Sequence, residues 1–276
     1  MMPKTLTSKP EMLFMPYALA LMVLISGFIM TKPDSAQAEG ITIGFSPVWW
    51  QYQESSEQRI GYPKTPFASS VSGLGMELDM EGDIQIGNGL HFLSSWSYLL
   101  PVSQSTETWT QLAGIQTNNF QATETEFRTS LMRDFEGWEM GVWVSYMLHI
   151  QERQNFFLNG VRSIVVGEPI REYVQVSWIG LNFRTDLGEG IEISWDAAMP
   201  ISVRTTNDLV ADTFTRRSGY RMGANASWSL GEQADSDYWS ASLGYKYRQL
   251  GNDLGRTALW PKNTWQALSL NLSYTW

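Results

Sequence analysis

His91 and His149 are the only two imidazoles in the 276 residues, so acid–base chemistry near neutral pH would centre on them. Each would serve as a general base only with a carboxylate at hand, and Asp79 or Glu124 is the natural partner. The competing reading, which the sequence favours, is that both rings are hydrogen-bonded members of a polar network. The chain has no cysteine, which excludes a thiol nucleophile and a disulfide-stapled scaffold. No HExxH, P-loop or GxSxG pattern is present. A metal would have to be held by carboxylates alone or with one histidine, and no spacing favours that, so no cofactor is expected. Gly73-Leu74-Gly75 and Gly87-Asn88-Gly89 read as strand glycines that give curvature or close packing, not as phosphate cradles.

The elements that must position these groups follow a period of two. In the last segment Leu268, Leu270, Leu272, Tyr274 and Trp276 share one parity and Ser269, Asn271, Ser273 and Thr275 the other, which places them on opposite faces of a strand. Ten such segments recur near 40–54, 69–82, 84–98, 123–135, 138–152, 171–187, 190–205, 217–230, 237–250 and 263–276. Most are more than twice the usual soluble strand of about five or six residues. Short turns are expected at Glu81-Gly82-Asp83, Phe135-Glu136-Gly137, Leu187–Gly190 and Gly231–Ser236, alternating with long polar connections such as 99–122 and 153–170. That rhythm belongs to a closed antiparallel transmembrane β-barrel of ten strands, with short periplasmic turns and long extracellular loops. Strand six is irregular, because Val174, Val176 and Trp178 have one parity and Ile179, Leu181 and Phe183 the other; a bulge near Trp178 would reconcile them.

One parity of the segments is apolar and the other carries Glu77, Asp79, His91, Glu124, Glu126, Arg128, His149, Arg184, Glu192, Asp196, Arg204, Arg221, Lys246 and Arg248. Ionisable groups in mid-strand are costly in a dry core but find partners and water in a barrel lumen. Ten strands enclose little more than an eight-stranded barrel, whose interior side chains can fill, so these charges should form a salt-bridge plug. The barrel also accounts for a composition of 13 Trp, 11 Tyr and 12 Phe beside only 43% hydrophobic residues: alternate residues face lipid. Trp49, Trp96, Tyr98, Trp138, Trp195, Trp228, Trp239 and Trp276 are the expected interfacial girdle.

A net charge of −9 argues against a nucleic-acid partner. Residues 1–38 read as a cleavable signal peptide: Lys4 and Lys9, then the apolar stretch 13–30, then Ser35-Ala36-Gln37-Ala38 as an A-x-A site. The barrel would then occupy 39–276 in a bacterial outer membrane.

The C-terminal Leu-Ser-Leu-Asn-Leu-Ser-Tyr-Thr-Trp resembles the targeting signal of outer-membrane barrels, which implies delivery by the barrel assembly machinery. The whole barrel region is similar to the omptin class of ten-stranded barrels, through Gln151-Glu152-Arg153-Gln154-Asn155-Phe156, Trp178-Ile179-Gly180-Leu181-Asn182-Phe183 and Gly190-Ile191-Glu192-Ile193-Ser194-Trp195. Omptins cleave peptides with an acidic pair above strand three and an Asp-x-His above strand seven. Here Pro101–Thr106 holds no acid, and Arg204–Asp212 holds acids but no histidine. The resemblance therefore implies the fold and none of the catalytic residues.

Function is expected to reside in the outer loops of a non-catalytic surface, structural or adhesin-like protein whose external ligand the sequence does not specify. The alternatives are an omptin-like hydrolase with a displaced site, using Asp208 or Asp212 with Glu107, and a narrow channel. Besides membrane lipid, lipopolysaccharide is an expected partner, with Arg153, Arg162, Arg171, Arg216 and Arg217 as candidate phosphate contacts, since arginine pairs bidentately with such oxyanions.

Overall fold

The computed structural model describes residues 37–56, 67–87, 89–111, 114–165, 167–208, 210–216, 218–230, 237–251 and 262–276. The expected signal segment lies almost wholly outside them. The strands are β1 (Gln37–Ser56), β2 (Phe67–Gly87), β3 (Leu90–Pro101), β4 (Ser105–Gln111), β5 (Gly114–Phe135), β6 (Trp138–Leu158) and β7 (Val161–Arg162). They continue with β8 (Ile170–Gly188), β9 (Ile191–Asn207), β10 (Val210–Arg216), β11 (Gly219–Leu230), β12 (Tyr238–Leu250) and β13 (Lys262–Thr275). Ten of them pair in the order β1-β2-β3-β5-β6-β8-β9-β11-β12-β13, and β13 pairs back onto β1. The ring closes with a stagger: the pairing path Gly40–Asp83–Leu93–Ser130–Trp143–Gly180–Ala198–Arg221–Arg248–Trp265 returns to β1 at Tyr52. Such a shift is the shear that closure of a tilted sheet demands.

The ten-stranded antiparallel barrel is as expected, but three details differ. The first turn is not at Glu81-Gly82-Asp83, which lies within β2 and pairs with Ser95, Ser94 and Leu93 of β3. It is at Gly87–Leu90, where Gly87 and Gly89 take φ of 114° and 68°. Glycine takes such positive φ values without strain, and this outweighs the polarity of the Glu-Gly-Asp triplet. Second, the expected loop at 99–122 is largely strand: after a break at 102–104, β4 pairs with both β5 and β2 and raises the wall. β7 and β10 extend the same end beside β6 and β9.

Third, there is no parity change in β8. Val174, Val176 and Trp178 are buried in the interior, and Ile179 and Leu181 face outward on the unbroken alternation. The irregularity lies opposite, in β9, where Ser177 pairs with Ser202 but Trp178 pairs with Pro200. Proline cannot donate a ladder hydrogen bond, so the strand bulges beside it. Beyond the bulge Val203 and Thr205 turn inward, and Arg204 is exposed on the outer face. Arg204 is thus not a lumen residue.

Outside, the apolar parity forms a continuous belt. Leu74, Val142, Leu181 and Leu270 are all slightly more than half exposed, an arrangement suited to hydrocarbon rather than water. The girdle residues all fall on this face. Towards the short-turn end, Phe135, Trp138, Phe183 and Trp195 stack in series at 4.2, 5.6 and 5.5 Å, and Trp239, Tyr274 and Trp276 follow at 5.1 and 6.0 Å.

Candidate functional site

The lumen is divided into three tiers by the size of the inward side chains. At the end raised by the longer hairpins, β6 delivers Arg153, β4 delivers Glu107 and β1 delivers Glu54. Arg153 donates from Nε to Glu107 at 2.7 Å, and from Nη2 to Glu107 at 3.2 Å and to Glu54 at 3.3 Å. Ser69 and Asn118 each donate to Glu107 at 3.0 Å. The guanidinium also packs 5.4 Å from the Trp109 ring and 5.2 Å from Phe120. Burial alone would raise the Glu107 carboxyl, but the Arg153 charge and the hydrogen bonds hold it below the usual glutamate range.

Arg153 is therefore not a lipopolysaccharide contact: it is buried, and both of its carboxylates are inside the wall. Glu107 has no exposed surface, so it is unavailable to a substrate. The sequence reading missed this because β4 was taken for loop.

Beneath lies an apolar tier. Trp50 stacks on Trp265 at 5.0 Å, Phe120 lies 5.8 Å from both Trp50 and Tyr52, and Val48, Leu99 and Ala267 fill the gaps. Trp143, Met147, Val176 and Trp178 form the facing cluster. Close approach is allowed by glycine on the neighbouring strands: a Cβ at Gly73 would sit 2.3 Å from the Trp50 ring, and one at Gly180 would sit 2.6 Å from Trp143. This aromatic layer fills the lumen between the ion-paired groups above and below it.

At its lower edge are His149, whose Nδ1 lies 2.9 Å from Glu124, and Arg248, which donates to the same carboxylate at 2.7 Å. The Trp265 ring meets the imidazole edge-on at 4.8 Å. His149 and Glu124 are thus the pair that the sequence brought together, but with the ring 1% exposed they have a network role and no route to an external substrate.

The lowest tier is polar and open. Glu126 pairs with Arg221, Lys246 with Glu77 and Arg128 with Asp196, at 2.5, 2.6 and 3.5 Å. Arg184 lies among Glu81, Glu139 and Glu192 at 3.4–3.9 Å. His91 is at the short-turn end, 2.9 Å from Asp134 and 3.5 Å from Asp83, and not beside Asp79. Between them is a cavity of about 490 Å³ whose wall is rich in serine, including Ser97, Ser194, Ser227 and Ser242. Sequence reasoning named the charges here and passed over these small residues, whose inward parity was the available signal for empty space.

Of the candidate catalytic acids, Glu107 is held in the Arg153 pair and Asp208 lies elsewhere, against the β8 backbone. Asp208 is exposed, and its Oδ2 accepts the Arg171 backbone N–H at 3.2 Å while its own N–H donates to the Arg171 carbonyl. It ties β8 to the end of β9. The side chains of Asp212 and Arg216, and all of Arg217, lie outside the described residues. Of the remaining expected phosphate contacts, Arg162 is exposed at the β7 edge, and Arg171 is on the outer face, donating to Glu152 at 2.8 Å.

No protein-family model matches the chain, and no curated protein sequence matches it. Among solved structures it is similar to the outer membrane protease OmpT from Escherichia coli, at 8% identity over 89% of this chain and 99% of that one, with a TM-score of 0.54. An outer membrane channel from Pseudomonas putida F1 matches at 13% identity over 89% and 98%, with a TM-score of 0.38. At such identities the likeness is one of fold: an outer-membrane-type barrel with an omptin-like framework.

Proposed function

We propose that this chain is a bacterial outer-membrane barrel, closed to transport, that works through its extracellular end as a non-catalytic surface or binding protein. The observation that carries this reading is the aromatic tier: Trp50, Trp178, Phe120 and Met147 have no exposed surface, and the buried Arg153–Glu107 pair seals the space above them. Among the described residues, what remains for interaction is the raised rim built by the β4–β5, β6–β7 and β9–β10 hairpins. Arg171, Arg162 and the outward-turned Arg204 suit the phosphates of outer-leaflet lipopolysaccharide. The expected assembly machinery would read the last strand, whose Trp276 exchanges backbone hydrogen bonds with Ile41 at 3.0 and 3.1 Å.

The runner-up is a surface hydrolase, favoured by the fold likeness to an outer membrane protease. Planar-bilayer recording and a peptide-cleavage assay on refolded protein test both readings. We expect no conductance steps and no turnover. A steady single-channel conductance would overturn closure, and turnover abolished by Asp208→Ala or Asp212→Ala would establish the hydrolase.

A further inference from the structure

Towards the long hairpins, beyond the lipid-facing belt, the outer wall has two sides of different chemistry. On β6, β8 and β9 the outward residues include Glu152, Arg171 and Arg204, and Arg171 donates to Glu152. The opposite side of the ring, from β2 through β1, β13 and β12 to β11, carries no charged residue on two successive outward rows. The first row pairs Ser72, Gln51, Gln266, Tyr247 and Met222 across the five strands. The second pairs Ser70, Gln53, Thr264, Gln249 and Tyr220. Both continue directly from the lipid-facing row Leu74, Trp49, Leu268 and Tyr245.

The side chains of these rows are held against the wall by one another. Tyr245 Oη donates to Gln266 Oε1 at 3.3 Å, Gln266 Nε2 donates to Gln51 Oε1, and Tyr247 Oη donates to Gln249 Oε1 at 3.4 Å. A glutamine amide has two donor hydrogens and two acceptor lone pairs, so these bonds use only part of its capacity. The rings of Tyr220 and Tyr247 lie 5.7 Å apart, and Tyr220 and Tyr245 are 40% and 44% exposed. The surface thus offers aromatic faces beside neutral groups that both donate and accept.

Depth narrows the occupant. Trp49 and Gln53 are four residues apart, about 13 Å along the strand at roughly 3.3 Å per residue, or about 10 Å of depth for a strand tilted by roughly 40°. The headgroup layer of an ordinary bilayer adds only about 5–8 Å on each side of the hydrocarbon. The second row therefore stands level with a headgroup taller than a phosphate ester. An ionic headgroup would meet no counter-charge here, whereas hydroxyl groups match the amides in both directions and the faces of sugar rings suit the tyrosines. We propose that this side of the wall binds the uncharged sugars of a glycolipid headgroup, with hydroxyls on Gln51, Gln53 and Gln266 and a ring face on Tyr220 or Tyr247. The acyl chains of the same lipid lie along Trp49 and Leu268. The proposal rests on the outer-membrane placement given above and adds a neutral contact to the phosphate contacts of the arginine side.

The test is lipid retention. The full-length refolded barrel is equilibrated in micelles with equimolar digalactosyl diacylglycerol, phosphatidylcholine and phosphatidylglycerol of matched acyl chains, and the lipids it keeps are counted by native mass spectrometry. The glycolipid should be preferred over phosphatidylcholine by about fivefold, the scale of one or two exposed hydrogen bonds. Raising the salt should leave that preference unchanged, because no ion pair is involved. The double variant Gln53→Ala, Gln266→Ala should bring the preference close to one, and heat-modifiable gel mobility reports that it is folded. If it does not fold, Tyr247→Leu carries the comparison, with an expected loss of about twofold. Equal retention of the three lipids, preference for phosphatidylglycerol, or a glycolipid preference unchanged in the folded variant would each overturn the proposal while leaving the barrel itself intact. A wild-type chain without heat-modifiable mobility would overturn the membrane placement and this proposal together.

Discussion

Arg153 and Arg184 are both inward-facing arginines surrounded by carboxylates, one in the long-hairpin half of the barrel and one in the short-turn half. Arg153 is within 2.7–3.3 Å of Glu107 and Glu54, in a group whose side chains are all less than a tenth exposed. Arg184 has three carboxylates at 3.4–3.9 Å, in a group where each side chain is 27% to 43% exposed. The same residue type on the same parity therefore does different work. Above, large aromatic neighbours exclude water, so the ion pair is obligatory and seals the tier. Below, the group around Arg184 is partly exposed and loosely held, while Arg221–Glu126 and Lys246–Glu77 stay closely paired beside the cavity. In this lumen the bulk of the uncharged residues decides what the charged ones do.

The sharpest way to break that contrast is to remove Arg153. Arg153→Ala leaves Glu107 buried without its counter-ion, and breaking one side of a buried pair costs roughly 3–5 kcal/mol. The denaturant midpoint of the refolded barrel should fall accordingly. Trp50→Ala tests the apolar part of the same tier. It removes a fully buried ring stacked on Trp265, a truncation worth about 3–5 kcal/mol where the site cannot collapse. It should also thin the barrier, so a conductance absent from the wild type is expected in planar bilayers. A variant with unaltered stability would mean that the tier is not the dry core described here.

The acid response should follow the upper tier as well. Glu107 is held below its usual value of 4.5, so its stabilising contribution is complete above that pH and is lost as pH falls through the lower, folded value. Glu107→Gln should be less stable at neutral pH and should lose part of the acid-side decline. Parallel wild-type and variant stability profiles would contradict the pairing with Arg153.

The tiers were only partly legible in the sequence, for a physical reason. Alternation reports which face a residue occupies, and it placed the ten strands, the outer belt and most of the lumen charges, such as Glu126, Arg221 and Lys246. It does not report height, which depends on the stagger between strands. His91 and His149 share a parity but lie at different heights, one at the short-turn end and one at the lower edge of the aromatic tier, and Trp50, Trp178 and Trp265 converge only once the ring is closed. Arg204 was misplaced because one bulge inverts every side chain beyond it, although Pro200 within a strand pattern was a visible marker of that break. Glu107 was hidden in a segment whose polar composition reads as loop.

The smallest effect is expected where the contrast predicts it. Arg184→Ala removes a guanidinium with three carboxylate neighbours, and by a count of contacts it should rival Arg153→Ala. Its neighbours are partly hydrated, however, and none approaches closer than 3.4 Å. Exposed pairs of this kind are worth about 0–1 kcal/mol, and water that already enters the chamber can solvate Glu81, Glu139 and Glu192 once the arginine is gone. The denaturant midpoint of Arg184→Ala should therefore stay close to wild type, and what stability the arginine does contribute should shrink as salt is added. A loss comparable to that of Arg153→Ala would show that the lower tier is as dry as the upper, and would remove the basis for treating it as a cavity.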